Sequence, residues 1–440
     1  MKLSLFSLLF VLCASSFSNS SVPPKRVLVL LDTLATRETH SIFFKGLQER
    51  GFFLTYKSAD DPGLQLIRYG EFMYDHLIIF APAVEEFGGS LSVDIITKFV
   101  DGGGNVLMAG NSATSDLIRE IATEVGVEMD EEGAAVIDHL HYDTADKGQH
   151  TLIVGDPSNL IQNAEKIVGS YQHSPFLYRG TGLIADRENP LVLPILTASP
   201  SAYSYDPEKP ITDYPHAVGS NTVLIAGIQA RNDARVVISG SLDFFSDEFF
   251  ESAVSDVVDV RKKAPKSGNK DLAMALAGWV FKEQGVLRAV KVRHHLVSDE
   301  SRPEAYTIKD DIVYEIEIEE MKHGEWVPFE ANDVQVEFVR IDPFIRQTMK
   351  MVKKGLFQAK FRIPDVYGVF QFKVDYKKLG YSFLKSYTQV SVRPLEHTQY
   401  ERFILSAYPY YISSFSMMFG VWCLSCVFLH HRDQVKDKTE

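Results

Sequence analysis

Short continuous apolar runs open the chain. Arg26 to Leu31 (RVLVLL), ended by Asp32, has the character of a strand buried on both faces of a parallel sheet. Thr39 to Arg50 follows with Ile42, Phe43 and Leu47 at helical spacing and Gly51 placed to stop it. Phe52 to Tyr56 and Asp75 to Pro82 read as further strands. Ser92 is placed to cap a helix carrying Val93, Ile96, Phe99 and Val100, and Asp101-Gly102-Gly103-Gly104 ends that helix before a strand from Asn105 to Met108. Strand and helix alternate, which predicts a doubly wound α/β domain.

Between about Ala135 and Asn221 the alternation fades. Eight prolines crowd the region from Pro157 to Pro215, so it reads as a loop-rich insertion with short strands. Thr222 to Ile228 and Arg235 to Ser239 then restore the parallel-sheet signal. Ser241 or Asp243 is placed to cap a helix through Phe244, Phe245 and Phe249, and Asn269 to Glu283 reads as a helix with Leu272, Leu276 and Trp279 on one face.

Past Gly285 the period changes to two. Ile312, Tyr314, Ile316 and Ile318 alternate with Val313, Glu315, Glu317 and Glu319, and Phe370, Phe372, Val374 and Tyr376 repeat the pattern. With turn residues at Gly324, Gly355, Pro364 and Gly380, these strands predict an antiparallel β-sandwich, its outward glutamates solvated.

The third pattern is a run without charge from Phe403 to Leu429. Its twenty residues from Tyr410 to Leu429 would span about 30 Å as a helix, the thickness of a bilayer's hydrocarbon core. At the other end, Lys2, the apolar stretch Leu3 to Cys13 and the small residues Ala14 to Ser16 have the layout of a secretory signal peptide. The expected organisation is a signal peptide over 1–20, an α/β domain over 25–285 with an insertion at about 135–221, a sandwich over 286–395, one transmembrane helix over 405–429 and a tail over 430–440. A cleaved leader and one later span place the body in the lumen and the tail in the cytosol, a single-pass type I arrangement with Arg432, Lys436 and Lys438 on the cytosolic flank. Lys436 and Lys438, third and fifth from the C-terminus, match a dilysine retrieval signal for the endoplasmic reticulum.

A net charge of −13 without a basic run argues against nucleic acid as a partner. Cys13 lies in the leader, and Cys423 and Cys426 lie in the span, so the expected lumenal body has no cysteine and relies on packing. The Cys423-x-x-Cys426 spacing in an apolar span reads as packing or lipidation ahead of redox chemistry. Asn19, beside the expected cleavage site, is the sole Asn-x-Ser/Thr match.

Chemistry is sparse. Gly102 to Gly104 precedes a strand, the wrong order for a phosphate loop. Gly88-Gly89-Ser90 has the right order, and although Glu85 and Glu86 would repel a phosphate it is the best candidate for a ligand contact. Ser239-Gly240-Ser241 sits at a strand-to-helix turn without the Gly-x-Ser-x-Gly frame, so capping explains it better than nucleophilic catalysis. In Asp138 to Asp143 (DHLHYD), His139 and His141 would share a face if extended, with no obvious third ligand, and His294-His295 would point to opposite faces. No Asp-x-Asp pair exists to hold a sugar nucleotide's metal. No catalytic, cofactor or metal site is assigned.

The chain as a whole resembles the family of non-catalytic 48 kDa subunits of oligosaccharyltransferase. The residues that carry the likeness are RVLVLLD (Arg26 to Asp32), FVDGGGNVLMAGNSATSD (Phe99 to Asp116), SGSLDFFSDEFF (Ser239 to Phe250), the Trp279 helix with Gly285-Val286-Leu287-Arg288, and the anchor with its dilysine tail. The resemblance implies a degenerate amidotransferase-like domain without catalytic residues. It also implies partners in a multi-spanning catalytic subunit, whose Trp-Trp-Asp-type motif is absent here, and in ribophorin-like and DAD-type subunits. The implied role is a scaffold for transfer of a dolichol-linked oligosaccharide to asparagine in the endoplasmic reticulum membrane. Two alternatives stand beside it: a lumenal glycan-binding module using Gly88 to Ser90 and the tyrosine-rich insertion, and a hydrolase using Ser239 or Ser241 with a histidine from the insertion.

Overall fold

The computed structural model describes residues 25–431 apart from 187, 260, 261 and 323; the leader and Lys436 and Lys438 lie outside the described residues. The first part is a mixed α/β domain around one nine-stranded sheet. Its elements are β1 (Arg26–Leu31), α1 (Ser41–Glu49), β2 (Phe53–Ser58), β3 (His76–Phe80), α2 (Val93–Asp101), β4 (Asn105–Ala109), α3 (Asp116–Glu124), β5 (Val127–Met129), β6 (Leu183–Ala185), β7 (Val192–Thr197), β8 (Val223–Gln229), β9 (Arg235–Ser239) and α4 (Asn269–Val280). Strands run in the order β2-β1-β3-β4-β9-β8-β6-β5, with β7 also paired to β8.

Five strands, β2 to β9 in that order, are mutually parallel. Residues of β1 alternate between two cores: Val27, Val29 and Leu31 meet α1 and α4 through Phe43, Leu47, Leu272 and Trp279. Leu28 and Leu30 meet α2 and α3 through Ile96, Phe99, Ile118 and Ile121 on the other face. Ser92 caps α2, accepting from the Ile95 N–H at 3.4 Å.

Several differences from the sequence reading have physical causes. β8 is antiparallel to β9, because the segment 230–234 between them is too short for a crossover, and a fully buried run does not encode its direction. The region 135–221 is not wholly inserted, since β6 and β7 hydrogen-bond to β8 and widen the main sheet. Pro194 is tolerated in β7 because the strand is irregular there, its register shifting between Pro194 and Leu196. α3, with Ile118, Ile121 and Ala122 buried, was not foreseen at all.

The second part is β-rich: β10 (Gln284–Leu296), β11 (Ala305–Thr307), β12 (Asp311–Lys322), β13 (Glu325–Pro328), β14 (Gln335–Val339), β15 (Pro343–Thr348), β16 (Lys350–Lys353), β17 (Leu356–Arg362), β18 (Gly368–Tyr376) and β19 (Leu384–Arg393). They form two sheets, β10-β12-β17-β16 with β13 on β12, and β11-β19-β18-β14-β15. Ile312, Tyr314, Ile316, Ile318, Phe370, Phe372 and Val374 fill the space between them. All pairings are antiparallel except β11 with β19, which run parallel. The acidic face of β12 is not simply solvated. Arg288, Lys291 and Arg293 of β10 stand opposite Glu319, Glu317 and Glu315, and Arg288 grips Glu319 through two N–H groups at 3.0 and 2.7 Å.

The two parts are joined by a dense seam. Arg235, fully buried, donates to the carbonyls of Trp279 (2.7 Å), Gln284 (2.8 Å) and Gly285 (2.8 Å). The loop between β18 and β19 reaches back to meet it: Trp279 Nε1–H donates to the Gly380 carbonyl at 3.0 Å, Gln229 to the Tyr381 carbonyl at 2.8 Å, and the Phe383 N–H to Asp233 at 2.7 Å. Lys166 of the first part pairs with the buried Glu320 of β12 at 2.6 Å. Gly285, with φ of +67°, could carry a Cβ only 2.3 Å from the Gly380 carbonyl oxygen, so the seam requires glycine there.

Beyond β19, the helix α5 (Tyr408–His430) lies in an apolar stretch, Leu405–His430, that is long enough to cross a bilayer and has no part buried against the body. Ser413, Ser416 and Ser425 turn their hydroxyls back onto carbonyls of Tyr410, Ser413 and Val421, which hides those donors in an apolar medium.

Candidate functional site

In an open α/β sheet the natural ligand crevice lies at the carboxyl ends of the strands where the order reverses, which here is between β1 and β3. A cleft of about 610 Å³ occupies that place, lined by Asp32, Asp60, Ala83, Val84, Glu85, Glu86, Phe87 and Gly88. Asp32, the residue that ends β1, accepts from the Ala83 N–H at 3.4 Å, while its other oxygen is buried with no hydrogen-bond partner. Burial pushes its carboxyl above the usual range; the Ala83 bond opposes this and the neighbouring Asp60 adds to it. Four carboxylates around one crevice disfavour phosphate or any other anion.

Gly88 borders this cleft, but its N–H donates to the Ala59 carbonyl at 2.8 Å, and the Ser90 N–H donates to that of Leu64 at 3.1 Å. Both amides are thus engaged by the loop after β2, unlike the free amides of a phosphate cradle. Gly89, at φ +65°, has no room for a Cβ because the Leu64 carbonyl oxygen would lie 2.3 Å away. Close backbone packing accounts for both glycines.

The turn after β9 places Ser239 and Ser241 where a nucleophile would stand, and both are fully buried. Ser239 Oγ donates to the Ser241 carbonyl at 3.0 Å, and Ser241 Oγ donates to the Arg179 carbonyl at 2.6 Å while accepting from the Phe244 N–H at 3.2 Å. Ser241 therefore supports the 3₁₀ turn Asp243–Phe245, and Ser246, not Asp243, caps the short helix Asp247–Glu251 that follows. The imidazole that approaches this turn is His40, just before α1, a residue without a sequence signal. Its Nε2 pairs with the Leu242 carbonyl at 3.2 Å and its Nδ1 with the Thr36 carbonyl at 3.1 Å, so neither nitrogen is directed at a serine. Burial holds it below the ordinary histidine range, the two carbonyl bonds opposing.

The histidines of the 135–221 region have other partners. His139 meets His150 (2.6 Å between Nδ1 atoms) and Tyr203 (2.9 Å), whereas His141 pairs with the buried Asp256 at 3.0 Å. They do not converge, because the chain turns at Asp138, whose carboxylate accepts from the Leu140 and His141 N–H groups. Among the described residues no group of three or more His, Cys, Asp or Glu side chains is arranged to hold a metal. His294 and His295 of β10 point to opposite faces as expected, His294 inward to the Tyr306 hydroxyl at 2.7 Å. Cys423 and Cys426 are free thiols on α5.

With no convergent constellation at the places where such a sheet would carry one, relationship to known proteins decides what the chain is. Its residues 18–283 match the family model described as OST48, N-terminal domain, and residues 294–432 match that of the OST48 middle domain. The chain belongs to the OST48 family. Curated relatives agree along more than nine-tenths of their lengths. The dolichyl-diphosphooligosaccharide--protein glycosyltransferase 48 kDa subunit of Danio rerio is 58% identical over 97% of this chain and 97% of its own. That of Drosophila melanogaster is 60% identical over 92% and 91%, and that of Caenorhabditis elegans 52% identical over 93% and 92%. Among solved structures, a ThuA-like protein from Parabacteroides merdae aligns with 59% of this chain and 90% of its own at 10% identity, with a TM-score of 0.30, too low to bear on fold or function. With its family established and one apolar helix of spanning length among the described residues, this OST48 member is a single-pass membrane protein.

Proposed function

We propose that this chain is a non-catalytic scaffold subunit of an oligosaccharyltransferase, needed for assembly and activity in transfer of a dolichol-linked oligosaccharide to the asparagine of Asn-x-Ser/Thr sites. The observation that carries the reading is the near full-length identity of 52–60% to proteins named as the 48 kDa subunit of that enzyme. The sealed hydroxyls of Ser239 and Ser241 support a body that holds neighbours in place without making or breaking bonds. The division into an α/β domain to 285, a sandwich to 395 and a span over 405–429 belongs to this proposal, as does descent of the first domain from a doubly wound amidotransferase-like fold.

In this reading the body faces the lumen of the endoplasmic reticulum, the tail faces the cytosol, and Lys436 and Lys438 serve retrieval. Its partners are a multi-spanning catalytic subunit and ribophorin-like and DAD-type subunits. The ligand contact of Gly88 to Ser90 is through the rim of the acidic crevice, since the amides of Gly88 and Ser90 are already spent. The test is depletion of the chain followed by rescue with Ser241→Ala or Ser239→Ala. Rescue of both complex assembly and glycosylation is expected; a variant that assembles at normal levels and leaves glycosylation lost would show chemistry at the turn and overturn the scaffold reading.

A further inference from the structure

The strand register gives the sandwich two distinct ends. At one, Gln284, Gly285 and the loop between β18 and β19 are fastened to the α/β domain. At the other, Gly368 pairs with Val392 and Thr307 with Arg393, so β18 begins, β11 ends and β19 ends together. β14 pairs antiparallel with β18, Val339 opposite Gln371, which brings the β14–β15 hairpin tip to that same end. The chain leaves for α5 from this end, through the fourteen residues 394–407.

That end carries exposed apolar side chains. Ile341 at the hairpin tip is 84% exposed, Tyr367 65% and Phe344 46%. They form one feature, because Arg340 in the hairpin donates to the Tyr367 carbonyl at 3.3 Å and Phe344 sets its ring edge-on to Phe370 at 5.6 Å. An isolated exposed apolar residue needs no explanation, but three on adjoining segments at the end that feeds a membrane span do. Even fully extended, the connecting segment spans at most about 50 Å, which lets this end reach the bilayer. The segment itself carries exposed Tyr400, Phe403 and Ile404, and α5 opens with Tyr408, Tyr410 and Tyr411, residue types suited to the headgroup layer.

We propose that the far end of the sandwich rests on the bilayer surface, with Ile341, Phe344 and Tyr367 seated at headgroup level. Asp342, beside Ile341 in the tip, sets the depth, since a carboxylate in the hydrocarbon would be costly. The inference rests on α5 as a membrane span and is independent of any role for the acidic crevice or the serine turn.

The experiment uses the full-length chain with Cys423→Ser and Cys426→Ser, in phosphatidylcholine nanodiscs, alone and assembled with its partner subunits. A nitroxide is attached in turn through Ile341→Cys, Tyr367→Cys, Val352→Cys and Ser416→Cys, and collisional accessibility to oxygen is compared with that to a water-soluble nickel chelate. Ser416, within α5, reads the span; Val352, 55% exposed on β16, reads water. The expected result is a several-fold higher oxygen-to-nickel ratio at 341 and 367 than at 352, in both preparations and below that at 416. Ratios at 341 and 367 equal to that at 352, with 416 in lipid, overturn the proposal and leave the span intact; water access at 416 overturns both. Shielding of 341 and 367 from both agents only in the assembled preparation would mean that another subunit covers this end, and would also overturn it.

Discussion

Replacing Arg235 by methionine tests the seam most directly. The guanidinium is fully buried on β9, lies 5.0 Å from the Trp279 ring centre and donates to three carbonyls, one in the last turn of α4 and two at the start of β10. Methionine keeps most of the volume and removes three hydrogen bonds from a charged donor, at about 2 kcal/mol each, or roughly 6 kcal/mol together, although the Trp279 and Gly285 carbonyls keep the Lys282 and Ser382 N–H groups. Against this stands the cost of burying the cation. Burial draws the Arg235 pKa from 12.5 to about 10, Asp233 opposing, and 2.5 units correspond to about 3 kcal/mol regained when the charge is removed. The difference predicts that Arg235→Met destabilises the α/β domain by about 3 kcal/mol. Arg235→Lys should fall between the two, because one ammonium cannot reproduce the planar fork.

The assay is denaturant unfolding of the full chain in detergent, followed by Trp279 emission in a background of Trp326→Phe and Trp422→Phe, with hydrogen exchange at the Ser382 amide, which donates to the Gly285 carbonyl at 2.7 Å. A midpoint shift worth about 3 kcal/mol with faster exchange at Ser382 is expected. If Arg235→Met unfolds within about 0.5 kcal/mol of the parent and Ser382 stays protected, the bonds to the carbonyls do no more than offset the buried charge, and the reasoning is refuted.

Other outcomes follow from single groups. Burial holds His76 at about 3 and His294 at about 4, so the unfolded chain takes up protons near pH 6.5 that the folded chain refuses. Their contribution is complete above about pH 7 and is lost as pH falls toward those values. Moving from pH 7.5 to pH 5 should therefore remove about 2 kcal/mol per histidine, and His294→Gln should flatten the slope by about one proton in denaturant titrations. Ser241→Ala, which removes the donor to the Arg179 carbonyl and the acceptor of the Phe244 N–H, should cost about 1–2 kcal/mol of thermal stability. Gly285→Ala meets both a left-handed backbone and the Gly380 oxygen, and should lower the unfolding midpoint by about 3 kcal/mol or prevent accumulation of the protein.

Much of this architecture is legible wherever one side chain's surroundings are set by its own strand or helix. β1 and β3 announce burial on both faces, and β12 and β18 announce burial on one. Direction is not encoded in such a run, which is why β8 was read as parallel, although the five-residue connection after it already excludes a crossover. α3 escaped notice because Ile118, Ile121 and Ala122 are interleaved with Asp116, Arg119, Glu120 and Glu124, and nine residues give the pattern little length. Gly88 to Ser90 and Ser239 to Ser241 each stand at a passage from strand to helix, an order legible in the sequence, but the groups that engage them come from distant segments: Ala59 and Leu64 for Gly88 and Ser90, and His40 and Arg179 for the turn after β9. The membrane-facing end was invisible for a related reason, since Ile341 and Tyr367 meet only through the register of β14, β18 and β19.

The chemistry of the seam explains how a body with no cysteine from residue 25 to residue 393 keeps its α/β and β-rich parts in a fixed relation. Side chains of the α/β part, Arg235, Trp279, Gln229 and Asp233, bond to backbone at the start of β10, Gly285, and in the β18–β19 loop, Gly380, Tyr381 and Phe383. Backbone groups cannot change rotamer, so each such bond fixes a position more tightly than a pair of surface side chains would. β18, nine residues and about 30 Å long, then carries that orientation from the seam to the far end of the sandwich. No comparable set of bonds joins the sandwich to α5. Within 394–404 the described hydrogen bonds are local ones such as that from the Gln399 N–H to the Glu396 carbonyl at 2.8 Å. The hydrogen bonds therefore fasten the α/β domain to the sandwich far more closely than they fasten the sandwich to α5.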